Sequence, residues 1–430
     1  MSDEGYRKTT IGKRVLKPAT QMVSYGYDPA MSEGAVKPPV FLTSTFAFPS
    51  AEAGAAHFDL NAGRRQAQGD EKPGLIYSRF NHPNLEIVED RLALLDGSAA
   101  AAVTASGMAA ISTTLLALLK PGDVIIQSDP LYGGTENLLH GILAEWGLQT
   151  VTLPIPLTRE NLAATLDKAV ALGNPAMIYI ETPANPTNAM VDFDLIATGL
   201  TERYANPAER PVTVCDNTLL GPIFLKPVLH GIDLCVYSLT KYVGGHSDLV
   251  AGGITGEASL ITRVRKTRSV LGTQLDPHSS WMISRSMETL ILRMERAAAS
   301  ASKIAAWLAG NPHVGCLVLH PEHDLDAGSK ALFARYSSSF GSTFSFVVDG
   351  GRAQAFAILN ALRLFKLAVS LGGTESLVCH PASTTHSGVA AELRDAAGVT
   401  EGLIRVSIGI EDADDLIADL ERAFAHAATR

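Results

Sequence analysis

Cysteine is scarce in this sequence, and no two cysteines stand close enough to form a metal-binding or redox pair. The four occurrences are Cys215, Cys235, Cys316 and Cys379. Without a Cys-x-x-Cys pair we expect no metal site, and so few scattered thiols argue against a disulfide framework. This pattern is typical of a reducing compartment, so we expect a cytoplasmic protein.

Charge is also limited, and no long basic run is present. Charged residues make up 18% of the chain and the formal net charge is -9. Binding to a phosphate backbone needs clustered Lys and Arg, so we expect no nucleic-acid partner. Residues 99–119 carry no charge, which is long enough to span a bilayer. Small residues dominate its first half, however, and it leads into a strand-like segment, so we predict a buried helix and no membrane partner.

With 430 residues, the chain exceeds the size at which one hydrophobic core stops growing. Prolines punctuate the first part of the chain, and residues 60–73 are polar. We therefore predict an N-terminal arm over residues 1–75. A large domain over residues 76–276 and a smaller C-terminal domain over residues 277–430 would follow.

Apolar segments alternate with helix-like segments through the middle of the chain. Because the strand-like segments are apolar on both faces, this alternation predicts an α/β domain with a mostly parallel sheet. The predicted strands are 124–127, 150–153, 177–181, 212–215, 234–238 and 251–255, and the predicted helices are 85–95, 108–119, 136–145, 159–171 and 191–204. For the smaller α+β domain we predict helices over 280–308, 354–364 and 412–427 and strands over 343–348 and 403–408.

Lys241 follows a predicted strand and is flanked by the hydroxyls of Ser238 and Thr240. A lysine there can bond a cofactor aldehyde while the hydroxyls donate to a phosphate. Ligands of such sheets bind beyond the carboxyl ends of strands. Taken alone, the segment could equally be a surface lysine in a Gly-rich loop.

Asp216 ends another buried-type strand. A carboxylate at this position can keep a pyridinium nitrogen protonated, so that the ring accepts electrons. The alternative is an ordinary Asx turn, which is common for Asp after a strand.

The residues Ser106, Gly107 and Met108 open an apolar helix, where free backbone amides can bind an anion. Together with Ser238 and Thr240 they predict a phosphate-binding cup. As a lone motif, Ser-Gly before a helix is usually only an N-cap.

Four further residues complete the predicted site. Tyr132 could stack on a flat ring and assist proton transfer, and Asn185 could reach the cofactor. Arg405 is a charge within an otherwise apolar strand, where bidentate capture of a carboxylate is the best physical reason for it. Most tyrosines in such turns are structural, and a Pro-rich turn explains Asn185 equally well. A surface salt bridge could explain Arg405, and Arg79 alone indicates little.

Taken together, these motifs resemble the family of cystathionine γ-synthase, cystathionine γ-lyase and methionine γ-lyase, the Cys/Met metabolism enzymes of pyridoxal-phosphate (PLP) fold type I. The likeness runs from about residue 38 to the end, and it depends on motifs in order: Tyr77-Ser-Arg79, Ser106-Gly-Met108, Leu131-Tyr-Gly-Gly-Thr135, Glu181-Thr-Pro-Ala-Asn-Pro-Thr187, Asp216-Asn-Thr218, Ser238-Leu-Thr-Lys-Tyr-Val-Gly-Gly-His246, Ser370-Leu-Gly-Gly-Thr-Glu-Ser-Leu377, His380-Pro-Ala-Ser383 and Arg405-Val-Ser-Ile-Gly-Ile-Glu-Asp412.

The resemblance implies pyridoxal 5'-phosphate as the cofactor and a small amino acid as the substrate, which loses or exchanges its γ-substituent. Lys241 would be the Schiff-base lysine, Asp216 would pair with the pyridine nitrogen and Tyr132 would stack on the ring. Arg405, with Ser370 and Glu375, would bind the substrate. Family members are homotetramers, so the resemblance also implies that Tyr77 and Arg79 reach the phosphate of a neighbouring subunit.

The sequence departs from each relative in places. The better-known methionine γ-lyases have Cys where this chain has Gly134, which favours a synthase. His82 and Asn84 replace the usual residues after Arg79, and residues 61–73 form a longer link than is usual. The segment 380–386 is similar to homoserine sulfhydrylases, so the γ-lyases and sulfhydrylases stay open. An aminotransferase or decarboxylase of the same fold, or a cofactor-binding protein that regulates without catalysis, is a more distant alternative.

Overall fold

The protein is described from a computed structural model that covers residues 6–68, 74–311, 317–389 and 391–428. In chain order, the described strands are β1 (Thr10–Ile11), β2 (Arg14–Val15), β3 (Ala100–Thr104), β4 (Asp123–Ser128), β5 (Gln149–Leu153), β6 (Asn174–Glu181), β7 (Val212–Asp216), β8 (Leu234–Ser238), β9 (Gly252–Gly256), β10 (Leu317–Leu319), β11 (Thr343–Val347), β12 (Lys366–Leu367), β13 (Leu377–Cys379) and β14 (Leu403–Ser407).

The described α-helices are α1 (Pro18–Ser24), α2 (Ala51–Asn61), α3 (Pro83–Asp96), α4 (Gly107–Leu118), α5 (Gly133–Asn137), α6 (Arg159–Leu172), α7 (Phe193–Arg203), α8 (Gly221–Phe224), α9 (Ala258–Leu271), α10 (Pro277–Met287), α11 (Leu290–Gly310), α12 (Ala327–Tyr336), α13 (Gly351–Ala361), α14 (Ala391–Ala396) and α15 (Ala413–Ala428). Among the described residues, no helix is both long and apolar enough to cross a membrane.

The larger sheet has the described strand order β3-β9-β8-β7-β6-β4-β5. Strands β4 to β8 pair in parallel, and β9 runs antiparallel to both β8 and β3. The central strands are buried on both faces, with α3, α4, α6 and α9 packed against the sheet. The prediction of a mostly parallel sheet is confirmed. Because β6, β7 and β8 are adjacent and parallel, their carboxyl ends meet at one edge.

The smaller sheet has the described order β10-β11-β14-β13-β12. Its pairs are antiparallel except for β12 with β13. The apolar faces of α11, α13 and α15 pack on it and form a separate core. This is the predicted α+β arrangement, and it carries Arg405 at the centre of β14, opposite Ser345 and Cys379.

Three predicted elements differ from the structure. The first part of the segment predicted as a buried helix, residues 99–119, forms strand β3, because β9 supplies an antiparallel partner and α9 packs against it. The long helix predicted over 280–308 is two helices, α10 and α11. The two helices separate near Thr289, whose ψ of 6° is not helical. At this break the Arg293 guanidinium donates to the carbonyl oxygen of Ser286 at 2.9 Å. The helix predicted over 136–145 begins earlier, as α5, and continues as a π-helical stretch, Leu138–Leu143.

The N-terminal arm is held by the residues in which this chain departs from its relatives. The Asn84 side chain accepts from the amide of Phe41 at 2.9 Å and donates to the carbonyl of Pro39 at 2.8 Å. His82 caps α3 by accepting from the amide of Leu85 at 3.1 Å. These departures therefore fix the arm and the start of α3. Of the longer link over residues 61–73, residues 69–73 lie outside the described residues.

Candidate active site

A cavity of about 350 Å³ lies where the carboxyl ends of β6, β7 and β8 face residues of the smaller sheet. Such an edge is where open α/β sheets bind ligands. Most of the predicted site residues line it: Ser106, Gly107, Met108, Tyr132, Asn185, Asp216, Ser238, Thr240, Lys241, Ser370 and Arg405. The lining residues that were not predicted are Ile111, Glu181, Thr218, Leu219, Tyr237, Val250, Val369, Leu371 and Thr385.

The Lys241 amine is positioned by the turn after β8 and by a residue from the other side of the cavity. Its Nζ donates to Oγ of Ser370 at 2.8 Å. Burial, and then the positive charge of Arg405, lower the pKa of Lys241 to about 8. A substantial fraction of this amine is therefore neutral near pH 8, which is the state needed for nucleophilic attack or proton abstraction.

The Arg405 guanidinium is buried and is held at two of its nitrogens. Nη2 donates to the carbonyl oxygen of Ser370 at 2.7 Å, and Nη1 donates to Oδ1 of Asn185 at 3.3 Å. The Nε atom is buried and has no partner among the described residues. Ser370 has a φ of 95°, a backbone conformation that non-glycine residues rarely adopt. A fixed guanidinium with an unpaired N–H inside a cavity suits a carboxylate ligand.

Asp216 carries a carboxylate that only hydroxyl and amide groups satisfy. Its Oδ1 accepts from the amide of Thr218 at 3.1 Å and from the Thr218 hydroxyl at 2.6 Å. The same hydroxyl accepts from the amide of Ser238 at 2.9 Å, which joins the ends of β7 and β8. Burial raises the pKa of Asp216 to about 6. No described Lys or Arg lies within ion-pair distance, so this anion is available to a cationic ligand group.

The start of α4 forms a close-fitting cradle. Ser106 caps the helix by accepting from the amide of Ala109 at 2.9 Å. A Cβ atom at position 107 would lie 3.0 Å from Cβ of Ser238, so the glycine permits close approach of the two segments. The Thr240 hydroxyl donates to the carbonyl of Ala251 at 3.1 Å. The amides of a twelve-residue helix face the cavity beside two hydroxyls, which suits a phosphate.

Tyr132 stands at the mouth of the cavity with 49% of its surface exposed. Its amide donates to Oε2 of Glu181 at 2.6 Å. A Cβ atom at position 134 would lie 2.6 Å from Cε1 of Tyr132 and 2.9 Å from Sδ of Met108. Gly134 therefore allows the tyrosine ring to lie where it does, and a half-exposed ring that lines the cavity can stack on a flat ligand.

Three predicted site residues are not among those lining the cavity. Tyr77 is 40% exposed, and the Arg79 guanidinium donates to the carbonyl of Ser269 and lies 4.8 Å from the Phe80 ring centroid. Their predicted contact with a neighbouring subunit stays a prediction. The Glu375 carboxylate instead accepts from the hydroxyls of Ser247 and Thr374. This placement gives no support to the predicted role of Glu375 in substrate binding.

Two lining residues were missed by the sequence reasoning about individual sites. Glu181 is only 5% exposed, and Thr218 bonds both Asp216 and Ser238. Each stands beside a predicted residue in the same strand-end motif, and Glu181 ends β6 just as Asp216 ends β7. The signal that could have found them is therefore their position at a strand end.

These features fit pyridoxal phosphate. The cradle at Gly107 offers backbone amides to the phosphate, Tyr132 offers a ring face, and Asp216 offers an unpaired carboxylate to the pyridine nitrogen. The Lys241 amine would bond the aldehyde carbon. Arg405, with an unpaired Nε, is left for the carboxylate of an amino acid.

Comparison with known proteins agrees with this fit. L-methionine gamma-lyase of Pseudomonas putida is 39% identical over 414 residues, which cover 95% of this chain and 98% of that protein. Cystathionine gamma-synthase of Escherichia coli (strain K12) is 36% identical over 409 residues, covering 95% and 98%. The crystal structure of cystathionine gamma synthase from Xanthomonas oryzae pv. oryzae in complex with aminoacrylate and cysteine matches with a TM-score of 0.85 at 34% identity, covering 96% of this chain and 99% of that chain.

The structural likeness confirms the predicted PLP fold type I, and the relatives confirm the predicted resemblance. A model of the family described as Cys/Met metabolism PLP-dependent enzymes matches residues 19–425, which is nearly the whole chain. The chain therefore belongs to the Cys/Met metabolism family of PLP-dependent enzymes.

Proposed function

We propose that this enzyme breaks the bond between Cγ and sulfur in a small sulfur amino acid of the methionine type, by γ-elimination. The observation that carries the proposal is the charge pattern of the cavity. Glu181, Asp216, Lys241 and Arg405 are the charged side chains among its described lining residues. Asp216 and Lys241 suit the cofactor, Arg405 suits the α-carboxylate of the substrate, and Glu181 is occupied by backbone amides.

The uncharged part of the described wall includes four aliphatic side chains, Leu219, Val250, Val369 and Leu371, together with hydroxyl groups such as those of Thr218 and Thr385. The aliphatic side chains favour a thioether substituent, and no charged side chain is left for a second amino-acid head group. The relatives named L-methionine gamma-lyase support this choice.

The residues of this chain would divide the work as follows. Bound pyridoxal phosphate would supply an electron sink that makes the Cα proton, and then a Cβ proton, of the substrate acidic. Arg405 would hold the α-carboxylate, and Asn185 would keep the guanidinium in place. The neutral Lys241 amine would accept these protons at Nζ, and its protonated form would donate one to the sulfur that leaves as the thiol. The overall elimination consumes one water and releases ketoacid, ammonia and thiol, so the half-exposed Tyr132 ring must leave the cavity open to water.

The second candidate is γ-replacement, in which a thiol such as cysteine takes the place of the leaving group on an activated homoserine. The structural likeness to the cystathionine gamma synthase from Xanthomonas oryzae pv. oryzae favours it. Gly134 favours it also, since the better-known methionine γ-lyases have Cys there. Elimination and replacement use the same cofactor chemistry, so the substrate must be identified by its products.

Product analysis separates the candidates. The PLP-loaded enzyme is given L-methionine, cystathionine, O-succinylhomoserine or O-acetylhomoserine, each with and without cysteine. Ketoacid and thiol released from methionine without cysteine support the proposal. Cystathionine formed only from an activated homoserine plus cysteine would establish the synthase reaction instead.

The matched variants are Lys241→Ala and Lys168→Ala, the second on the exposed surface of α6. We expect Lys241→Ala to lower turnover by about 1000-fold or more while PLP still binds, because the phosphate and ring contacts remain. Lys168→Ala should behave as wild type. Unchanged turnover of Lys241→Ala would refute the assignment of the lysine.

We further infer that copies of this chain assemble as a homotetramer in the cytoplasm, with Tyr77 and Arg79 facing the cavity of a neighbouring copy. In support, both side chains stand outside their own chain's cavity, and Tyr77 is exposed. The described cysteines are buried free thiols, which is typical of a reducing compartment. Sedimentation of the holoenzyme measures the assembly.

A further inference from the structure

We propose that Glu181 is a positioning residue, whose single carboxylate fixes the loop that carries Tyr132 relative to the loop that carries Asn185. This inference rests on the proposed function, because it concerns the same cavity. It assigns to Glu181 the task of setting the distance between the ring-stacking side of the site and the side that binds the substrate carboxylate.

The contacts of the two carboxylate oxygens carry the proposal. Oε2 accepts from the amide of Tyr132 at 2.6 Å, and Oε1 accepts from the amide of Asn185 at 3.2 Å. The Tyr132 loop follows β4, whereas the Asn185 loop follows β6. The two loops therefore meet at one side chain, and each oxygen serves one of them.

The residue that bears this carboxylate is fixed by the sheet. Its own backbone amide donates to Oγ of Ser128 at the end of β4, at 3.0 Å. Glu181 is the Cα partner of Asp216 across the strands β6 and β7. Both groups are buried, so the position of the carboxylate is determined by the sheet and not by a flexible surface loop.

The link continues across the cavity. Asn185 accepts from Nη1 of Arg405, Arg405 donates to the carbonyl of Ser370, and Ser370 accepts from Lys241. A shift of the Asn185 loop would therefore move the guanidinium, and a shift of the Tyr132 loop would move the ring. Misplacement of reacting groups by about 1 Å can cost about 100-fold in rate.

The surroundings of Glu181 are unfavourable for a negative charge. Burial, and then the negative charge of Asp216, raise the pKa of Glu181 to about 8, and Glu136 on α5 adds to this effect. Lys241 and Arg405 are the cationic groups among the described lining residues of the same cavity. The ionised carboxylate, which accepts the two loop amides at its two oxygens, therefore prevails above about pH 8.

The test compares Glu181→Gln with a matched variant, Asp419→Asn. The Asp419 carboxylate is buried in the smaller domain, where it likewise accepts the backbone amides of Arg363 and Leu364, and it also pairs with the Arg422 guanidinium at 2.8 Å. A side-chain amide has one acceptor oxygen where a carboxylate has two, so each variant weakens the hydrogen bonds to one or more backbone amides. Only Glu181→Gln should alter the positions of the residues that line the cavity.

For Glu181→Gln we expect kcat/KM to fall by about 10- to 100-fold and the visible circular dichroism of the bound cofactor to change, with PLP retained. Asp419→Asn should lower the melting temperature and leave both signals as in wild type. The inference is overturned if folded Glu181→Gln keeps the wild-type dichroism and kcat/KM, or if the two variants differ from wild type only in melting temperature.

A second variant applies if Glu181→Gln does not fold. Ser128→Ala removes the acceptor of the Glu181 amide and should change the dichroism in the same direction by a smaller amount; an unchanged spectrum counts against the inference. The dichroism is read without turnover. If all offered substrates fail while the spectra still change as expected, the proposed function is wrong and the role of Glu181 stands.

Discussion

Two buried carboxylate sites of this enzyme show opposite electrostatic arrangements. Glu89, on α3, is fully buried and forms ion pairs with Arg265 and Arg268 on α9, and it also accepts from the amide of Val103 at 3.0 Å. The two guanidinium groups hold the pKa of Glu89 below its usual value despite burial. This carboxylate joins α3, α9 and β3 and needs no ligand.

At the cavity, Glu181 and Asp216 are also buried, but they lie side by side without an ion-pair partner among the described residues. Their pKa values are raised, to about 8 and about 6. The chain thus pairs Glu89, whose role is structural, with two cations, and provides no cation for Asp216, where the pyridine nitrogen of the ligand is expected to supply the opposite charge. Glu181 keeps its proton below about pH 8. Perturbed buried carboxylates of this kind indicate a candidate functional site.

The largest expected effect comes from breaking the compensated site. Arg268→Met leaves the Glu89 carboxylate buried with one half-exposed partner, so we expect the free energy of unfolding to fall by about 3 to 5 kcal/mol. Denaturant unfolding measures this. Arg265→Met, which removes the more exposed guanidinium, should cost less than about 1 kcal/mol. Equal losses in the two variants would contradict the comparison.

At Asp216, which has no ion-pair partner among the described residues, removing the charge should raise the free energy of unfolding instead of lowering it. The folded pKa of Asp216 is raised to about 6, so ionisation costs stability as the pH rises through that value. Asp216→Asn keeps Oδ1 as an acceptor for Thr218 and removes the charge. We expect the cofactor-free variant to be more stable than wild type by about 1 to 2 kcal/mol at pH 8, and turnover to fall steeply.

The pH dependence provides the check on Asp216→Asn. Below about pH 3 both the folded and the unfolded wild type carry a protonated Asp216, so the two proteins should unfold at the same denaturant concentration. A variant that is less stable than wild type at pH 8 would show that a cationic group compensates the Asp216 carboxylate, and it would contradict the comparison.

The smallest effect is expected at Glu86, which resembles the uncompensated site but lies away from the cavity. Burial, and then the negative charges of Glu89 and Asp90, raise the pKa of Glu86 to about 7. Its ionisation therefore destabilises the fold increasingly between the unfolded pKa of about 4.5 and the folded pKa of about 7, and has no effect below about pH 3. Glu86→Gln should raise the unfolding free energy by about 1 kcal/mol at pH 8 and leave it nearly unchanged at pH 3. A gain of the same size at both pH values would exclude the electrostatic cause.

The sequence predicted the parts of the fold and site that depend on local pattern. Strands β4 to β8 were predicted because their residues are apolar on both faces, and Lys241 and Asp216 because each follows such a strand. Arg405 was predicted because a charge interrupts an apolar strand. In each case the relevant information lies within a few neighbouring residues.

The parts that were missed depend on contacts between distant segments. Glu181 acquires its role from the amide of Tyr132, which is 49 residues away, and nothing near Glu181 indicates that contact. Glu375 contacts Ser247, 128 residues away, and its predicted role in substrate binding stays a prediction. Residues 100–104 were predicted as helix because small residues suit a helix locally, whereas β9 supplies a strand partner that the segment alone cannot reveal.

The bonds at Ser370 mean that the candidate site is shared between two modules that each have their own core. Lys241 and Asp216 belong to the larger sheet, whereas Ser370 and Arg405 belong to the smaller one, and the hydroxyl and carbonyl of Ser370 contact Lys241 and Arg405 in turn. Neither module alone holds both the amine and its carboxylate receptor. In a chimera with a relative, Ser370 and Arg405 must therefore come from the same parent protein. A crossover placed between these two residues would separate the Arg405 guanidinium from the serine that links it to the Lys241 amine.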